Sequence, residues 1–116
     1  MIEESFVSFD TAKLLKEVGF NVPCEKWYGE SGFFMSGNYK ECKCPTQALA
    51  ARWLRDVHGI HIFSNYFFED GTWFYVIVDL KKSDEVRAIH PDIRSYQSSE
   101  EALEAGLQEA IKLIKK

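Results

Sequence analysis

Residues 72–81 read Thr-Trp-Phe-Tyr-Val-Ile-Val-Asp-Leu-Lys, a run that is apolar on both of its alternating sides. Successive side chains of a strand point to opposite faces. Phe74, Val76, Val78 and Leu80 therefore share one face, and Trp73, Tyr75 and Ile77 share the other with Asp79. A half-solvated antiparallel sheet would carry polar residues on its wet side. Residues 60–68 repeat the pattern, with Ile60 and Ile62 on one side, His61 and Phe63 on the other, and then Tyr66-Phe67-Phe68. Glu69-Asp70-Gly71 between the two runs favours a tight reversal. The result is a hairpin that needs cover on both faces.

Three helical patterns supply cover. Ser8 is placed to cap the first, Thr11, Leu14, Leu15 and Val18 recur at helical spacing, and Gly19 offers a left-handed end. The second opens at Cys44-Pro45, with proline at the first helical position, and carries Leu49, Ala50, Trp53, Leu54 and Val57 as one stripe before Gly59. The third has capping-box spacing at Ser98 and Glu101, with Leu103, Leu107, Ala110, Ile111 and Ile114 as its buried face. Its acids Glu100, Glu101 and Glu104 come early and Lys112, Lys115 and Lys116 late, as the helix dipole favours. A second hairpin is expected from 24–28 and 33–35 around Gly29-Glu30-Ser31-Gly32, and 83–96, with His90-Pro91, reads as connection. The order is α-β-β-α-β-β-α, an α+β fold in which an antiparallel sheet of about four strands in two hairpins packs with three helices. The expected core joins Trp53, Leu54, Leu103, Leu107 and Ile111 to Phe74, Val76 and Val78.

Length and charge narrow the rest. At 116 residues the chain is read as one domain, 1–116, and its 46% apolar content excludes a disordered tail. Fourteen basic against 18 acidic residues give a net charge of −4. Binding of duplex nucleic acid through its phosphates needs a positive excess, so none is expected. No run approaches the roughly 18 apolar residues of a membrane helix, and the acidic start Met1-Ile2-Glu3-Glu4 is unlike a signal peptide. Three cysteines make no disulfide framework. A cytoplasmic protein without membrane contact is the expectation.

The run 44–55, Cys-Pro-Thr-Gln-Ala-Leu-Ala-Ala-Arg-Trp-Leu-Arg, followed by His58-Gly59-Ile60-His61-Ile62, resembles a group of small phage- and prophage-type proteins of unknown function. The opening 8–14 and the ending 100–110 resemble the same group. The resemblance implies a small accessory protein of a mobile element. It carries over no catalytic residue.

Chemistry-bearing residues are sparse. Cys24, Cys42 and Cys44 with His58 and His61 contain one Cys-x-Cys pair, short of the paired knuckles of structural zinc sites. Cys44 at a helix N-terminus would gain thiolate character, with His61 or His90 as base, but Pro45 follows it directly and no oxyanion-type glycine turn accompanies it. Glu69-Asp70, Asp84-Glu85 and Glu100-Glu101 read as turn, loop and helix start. No catalytic residue, metal or cofactor is therefore assigned.

Two surfaces remain. The face of Trp73, Tyr75 and Ile77 is either covered within the monomer, by the first helix and 83–96, or left for a ligand or a second subunit. Self-association there is the expected outcome, because two-fold pairing commonly hides such a face. On the second helix, Ala48, Ala51, Arg52 and Arg55 oppose the apolar stripe, and Arg52 and Arg55 present planar donors suited to carboxylate or phosphate. The sequence thus points to a non-enzymatic binding or protein-interaction module with a protein partner or a second copy. Its alternatives are a binder of a small anion or nucleotide and, more weakly, a thiol enzyme or zinc protein.

Overall fold

The computed structural model describes residues 5–24, 26–28, 34–36, 42–81, 87–88 and 96–115, with backbone alone at 34–36 and 87–88. In chain order these form α1 (Phe9–Glu17), β1 (Lys26–Tyr28), β2 (Phe34–Ser36), α2 (Gln47–His58), β3 (Ile60–Phe67), β4 (Thr72–Asp79), β5 (Arg87–Ala88) and α3 (Ser99–Lys115). The architecture is α+β, with three helices and antiparallel strand pairing among the described residues.

The strands lie in two ladders rather than in one four-stranded sheet. β1 pairs with β2, and separately β3-β4-β5 form a three-stranded sheet. β5 falls inside 83–96, expected as plain connection, and pairs Val78 with Ala88 and Asp79 with Arg87. Position-by-position alternation cannot reveal a two-residue strand. The turn 29–32, His90-Pro91 and Asp84-Glu85 lie outside the described residues.

Capping chemistry sets the helix ends. Ser8 caps α1 by accepting from the Thr11 amide, and Gly19 follows the helix at φ +90°. α2 starts later than proline placement suggested. Its cap is Thr46, whose hydroxyl accepts from Leu49 N–H at 3.2 Å, so Cys44 and Pro45 precede the helix. They belong to an extended segment that pairs with β1 on one side and with residues 5–7 on the other. Gly59 closes α2 in the left-handed region at φ +69°. In α3 the Glu101 amide donates to Ser98 Oγ at 3.1 Å, and the Glu101 carboxylate accepts from the Gln97 amide.

The core lies where α3 crosses the β3-β4 hairpin, and the hairpin turns the opposite face inward from the one expected. Tyr75 is 4% exposed and Ile77 fully buried, together with Ile60 and Ile62 of β3. Phe74 and Val76 are only half-buried; Val78 is buried, beside β5. The reason sits on α3. Gly106 has no side chain, and a Cβ there would stand 3.0 Å from Ile62 Cγ2 and from Tyr75 Cβ and Cγ. The helix backbone therefore nests onto the Ile62/Tyr75 side. Leu107, Ala110 and Ile111 are fully buried, and Leu103 and Ile114 half-buried. Trp53 and Leu54 are buried as expected, Trp53 edge-on to Phe20 at 5.2 Å, whereas Val57 is exposed.

One polar node ties the helices together. The half-buried Glu104 carboxylate of α3 accepts from the Ser8 amide at 2.9 Å, from the Thr11 hydroxyl, and from Gln47 Nε2 of α2 at 3.0 Å. Gln47 also donates to the Glu100 carbonyl, and Gln108 Nε2 donates to Thr11 Oγ1. Every polar atom of this cluster that the fold encloses has a partner, which is what makes burying it tolerable.

Candidate interaction surface

Parity along the hairpin defines its outward face. β3 and β4 pair one-to-one, with His61 opposite Val78, Phe63 opposite Val76, Asn65 opposite Phe74 and Phe67 opposite Thr72. Residues directly opposite share a face in such a ladder. These eight side chains therefore make one surface, turned away from Ile62, Tyr75 and α3. None carries a formal charge except a protonated His61, and four are aromatic or imidazole rings.

This surface is open at its far end. Phe63 is 36% exposed, Phe67 44% and the turn residue Phe68 88%. α3 begins beside the middle of the hairpin, where Ser99 Oγ hydrogen-bonds Ser64 Oγ. The distal half, with Tyr66, Phe67, Phe68 and Trp73, extends past that start. Ring contacts cross the overhang, where Tyr66 meets Trp73 at 5.1 Å and Phe67 meets Phe74 at 6.3 Å, both edge-on; in the first half of β3, His61 lies tilted 5.4 Å from Phe63. Such T-shaped pairs are a favoured aromatic geometry.

The sequence-level site residues divide. Tyr75 and Ile77 are core, so the face of Trp73, Tyr75 and Ile77 is not offered to a ligand. Trp73 itself is half-buried, and its backbone exchanges two hydrogen bonds of 2.9 Å with Tyr96. Arg52 and Arg55 do lie exposed on α2, beside exposed Ala48 and half-buried Ala51. Both guanidiniums lean on Asp56, each Nε 3.4 Å from one carboxylate oxygen. The acid offsets one of the two charges, and so mutes the pair as an anion clamp. Reading parity correctly required knowing which side α3 takes, and the only sequence signal for that was Gly106 within an otherwise regular helix.

The thiols are closed off. Cys42 and Cys44 are buried and Cys24 half-buried, all three free. Cys44 Sγ and the Tyr28 hydroxyl both donate to the Val7 carbonyl, at 3.4 and 2.8 Å. Burial pushes the Cys44 thiol up to about 11, against a smaller lowering by its hydrogen bond with Tyr28. Burial likewise raises Cys24, Cys42 and the Tyr28 phenol. A thiolate nucleophile needs the opposite environment. Among the described residues, no three His, Cys, Asp or Glu side chains are gathered to hold a metal.

A second concavity, of about 610 Å³, opens between residues 5–8 and the start of α3, lined by Tyr28, Tyr96, Gln47 and Glu101 among others. Its polar groups include Glu104 and Gln47, already engaged in the node that joins the helices.

No protein-family model, curated protein or solved structure matches this chain. Its chemistry is therefore read from its own geometry. No described helix is long and apolar enough to cross a membrane.

Proposed function

We propose that the chain is a non-enzymatic protein-interaction module that engages a partner protein through the outward face of the β3-β4 hairpin. The observation that carries this reading is the uncharged aromatic surface of exposed Phe63, Phe67 and Phe68 beside half-buried Phe74, on a chain of net charge −4. Interface centres are enriched in aromatics and depleted of charge in this way, and contiguous apolar surface on a small domain marks an interaction site. The raised thiols and the fully engaged Glu104 speak against catalysis at either place. The likeness of 8–14, 44–55, 58–62 and 100–110 to phage- and prophage-type proteins supports an accessory role in a mobile element, with a cytoplasmic partner.

A small anionic ligand is the second reading, favoured by the exposure of Arg52, whose side chain is 72% accessible. It ranks lower because Asp56 already meets both arginines.

Photo-crosslinking in the producing cell separates the two. A benzophenone amino acid replacing Phe67 should trap a protein adduct that the same group at Lys112, on exposed α3 surface, does not. Loss of that adduct when Phe63→Glu is added would complete the support. Equal labelling at both positions, or a small ligand retained in native mass spectrometry and lost with Arg52→Ala, would overturn the protein-partner reading.

A further inference from the structure

The concavity between residues 5–8 and the start of α3 is rich in acceptors and rings, and its donors are turned inward. Its volume of about 610 Å³ falls within the range of small-molecule sites. It shares no residue with the outward face of the hairpin. Phe6, Tyr28 and Tyr96 supply rings to its wall, and Glu100, Glu101 and Glu104 supply carboxylates. Among the described residues, no Lys, Arg or His lines it.

The donors around the cavity serve the fold itself. The Tyr28 hydroxyl donates to the Val7 carbonyl at 2.8 Å, and Gln108 Nε2 donates to Thr11 Oγ1 at 3.0 Å. Gln47, only 6% exposed, donates from Nε2 to the Glu100 carbonyl at 2.9 Å and to Glu104 Oε1 at 3.0 Å. Both partners are acceptors, which fixes the nitrogen end of the amide and uses its two hydrogens. Gln47 Oε1 accepts no hydrogen bond among the described residues, and unlike His58 Nε2 it is not sealed from solvent. On a side chain buried this deeply, the accessible oxygen opens onto the cavity that Gln47 lines.

The acids lack a countercharge. Glu104 is met by neutral donors, the Ser8 amide, the Thr11 hydroxyl and Gln47 Nε2, and Glu101 by the Gln97 amide. No cation among the described residues pairs with Glu100, Glu101 or Glu104. Glu100 and Glu104 stand four apart on α3, a spacing at which like charges repel. The carboxylates do not gather as a metal-ion set, so a compact divalent ion does not suit them. A fitting ligand carries positive charge, donates hydrogen bonds and has a body that packs on rings. An ammonium has three donors and no acceptor, and aromatic faces attract its charge.

We propose that this cavity binds the primary ammonium group of an aliphatic amine. Gln47 Oε1 is the direct acceptor, Glu100 and Glu104 supply the countercharge, and the rings of Phe6, Tyr28 and Tyr96 receive the alkyl stem. A free amine and the side chain of a partner's lysine share this chemistry.

The test is a titration of n-butylamine, an ammonium at pH 7, into the isotope-labelled full chain, followed by NMR. n-Butanol is the uncharged counterpart with the same stem. Butylammonium should shift the Gln47 side-chain amide saturably with a Kd near about 1 mM, as a ligand this small permits. n-Butanol should bind at least about tenfold more weakly, lacking the charge. Glu100 is exposed and outside the node that joins the helices, so Glu100→Lys keeps the fold, checked by the unchanged remainder of the spectrum. It should weaken butylammonium by about tenfold, because a cation then stands beside the site. Two further probes separate the sources: tighter binding of diaminobutane supports a free amine, and tighter binding of Nα-acetyllysine methylamide a lysine side chain. No saturable shift of the Gln47 amide up to about 50 mM butylamine, equal binding of n-butanol, or a folded Glu100→Lys with wild-type affinity would overturn the proposal.

Discussion

Replacing Gly106 by alanine pits two known terms against each other, and the sign of the result reports which face of the hairpin is the core. At an open helical position, glycine to alanine gains about 1 kcal/mol of helix propensity. Here the new Cβ would stand 3.0 Å from Ile62 Cγ2 and from Tyr75 Cβ and Cγ, where carbon pairs prefer about 3.5–4.0 Å. Tyr75 Cβ is fixed to the strand backbone, so no rotamer change relieves it; α3 and β4 must separate by a few tenths of an ångström. Overpacking of this kind costs about 1–3 kcal/mol. The expected balance is a net loss of about 1 kcal/mol. Unfolding entropy near 2.1 cal/mol/K per residue gives about 0.24 kcal/mol/K for a chain of this size, so the loss lowers Tm by about 4 °C. Gly106→Val, with two more carbons in the same space, should lose more than about 3 kcal/mol. Differential scanning calorimetry on the three proteins decides it. An alanine variant that melts about 4 °C higher, with valine near wild type, would mean that α3 does not nest on Ile62 and Tyr75.

The inward and outward faces should also part by deletion: Ile77→Ala should cost about 2–5 kcal/mol in urea unfolding, and Phe67→Ala less than about 1 kcal/mol. Glu104→Gln should lose about 1–3 kcal/mol, because the donors Ser8 N–H, Thr11 O–H and Gln47 Nε2 lose their shared carboxylate. Burial, and secondarily Lys81, holds His58 below its ordinary value, and its Nε2 has no hydrogen-bond partner among the described residues. The unfolded chain then takes up the proton first, so this contribution to stability is complete above about pH 6.5 and is lost as pH falls toward the lowered folded value. His58→Gln should flatten the Tm-against-pH curve on that acid side. Cys44 should alkylate about a hundredfold faster in urea than in the native protein at pH 8, since its thiol is held near 11 by burial.

Much of the fold was legible because its signals are local. Ser8 and Ser98 cap as their side-chain chemistry dictates, Gly59 takes the left-handed turn, and 60–67 pairs with 72–79 within the expected runs 60–68 and 72–81. What local reading missed depends on contacts distant in sequence. Proline at 45 suits a first helical position, but Pro45 O accepts from Val7 N–H, and that pairing keeps the segment extended until Thr46. Parity alone is symmetric, and the expectation that put Phe74 and Val76 in the core and left Trp73, Tyr75 and Ile77 outside it chose the wrong side. The choice between them was made by one glycine thirty-one positions beyond Tyr75. Arg52 and Arg55 were exposed as the helical wheel placed them, while their shared neighbour Asp56 lay on the same turn and went unweighed.

The bond from the Ser8 amide to the Glu104 carboxylate spans 96 residues. On a ribosome adding about 5–20 residues per second, the first helix therefore waits roughly 5–20 s for the group that receives its leading amide. Thr11 and Gln47 wait with it, because both reach the same carboxylate. Helix α1 has only nine residues, too few to persist alone in water. Docking of α1 thus waits for α3, and a nascent chain halted before Glu104 should leave α1 open to proteolysis.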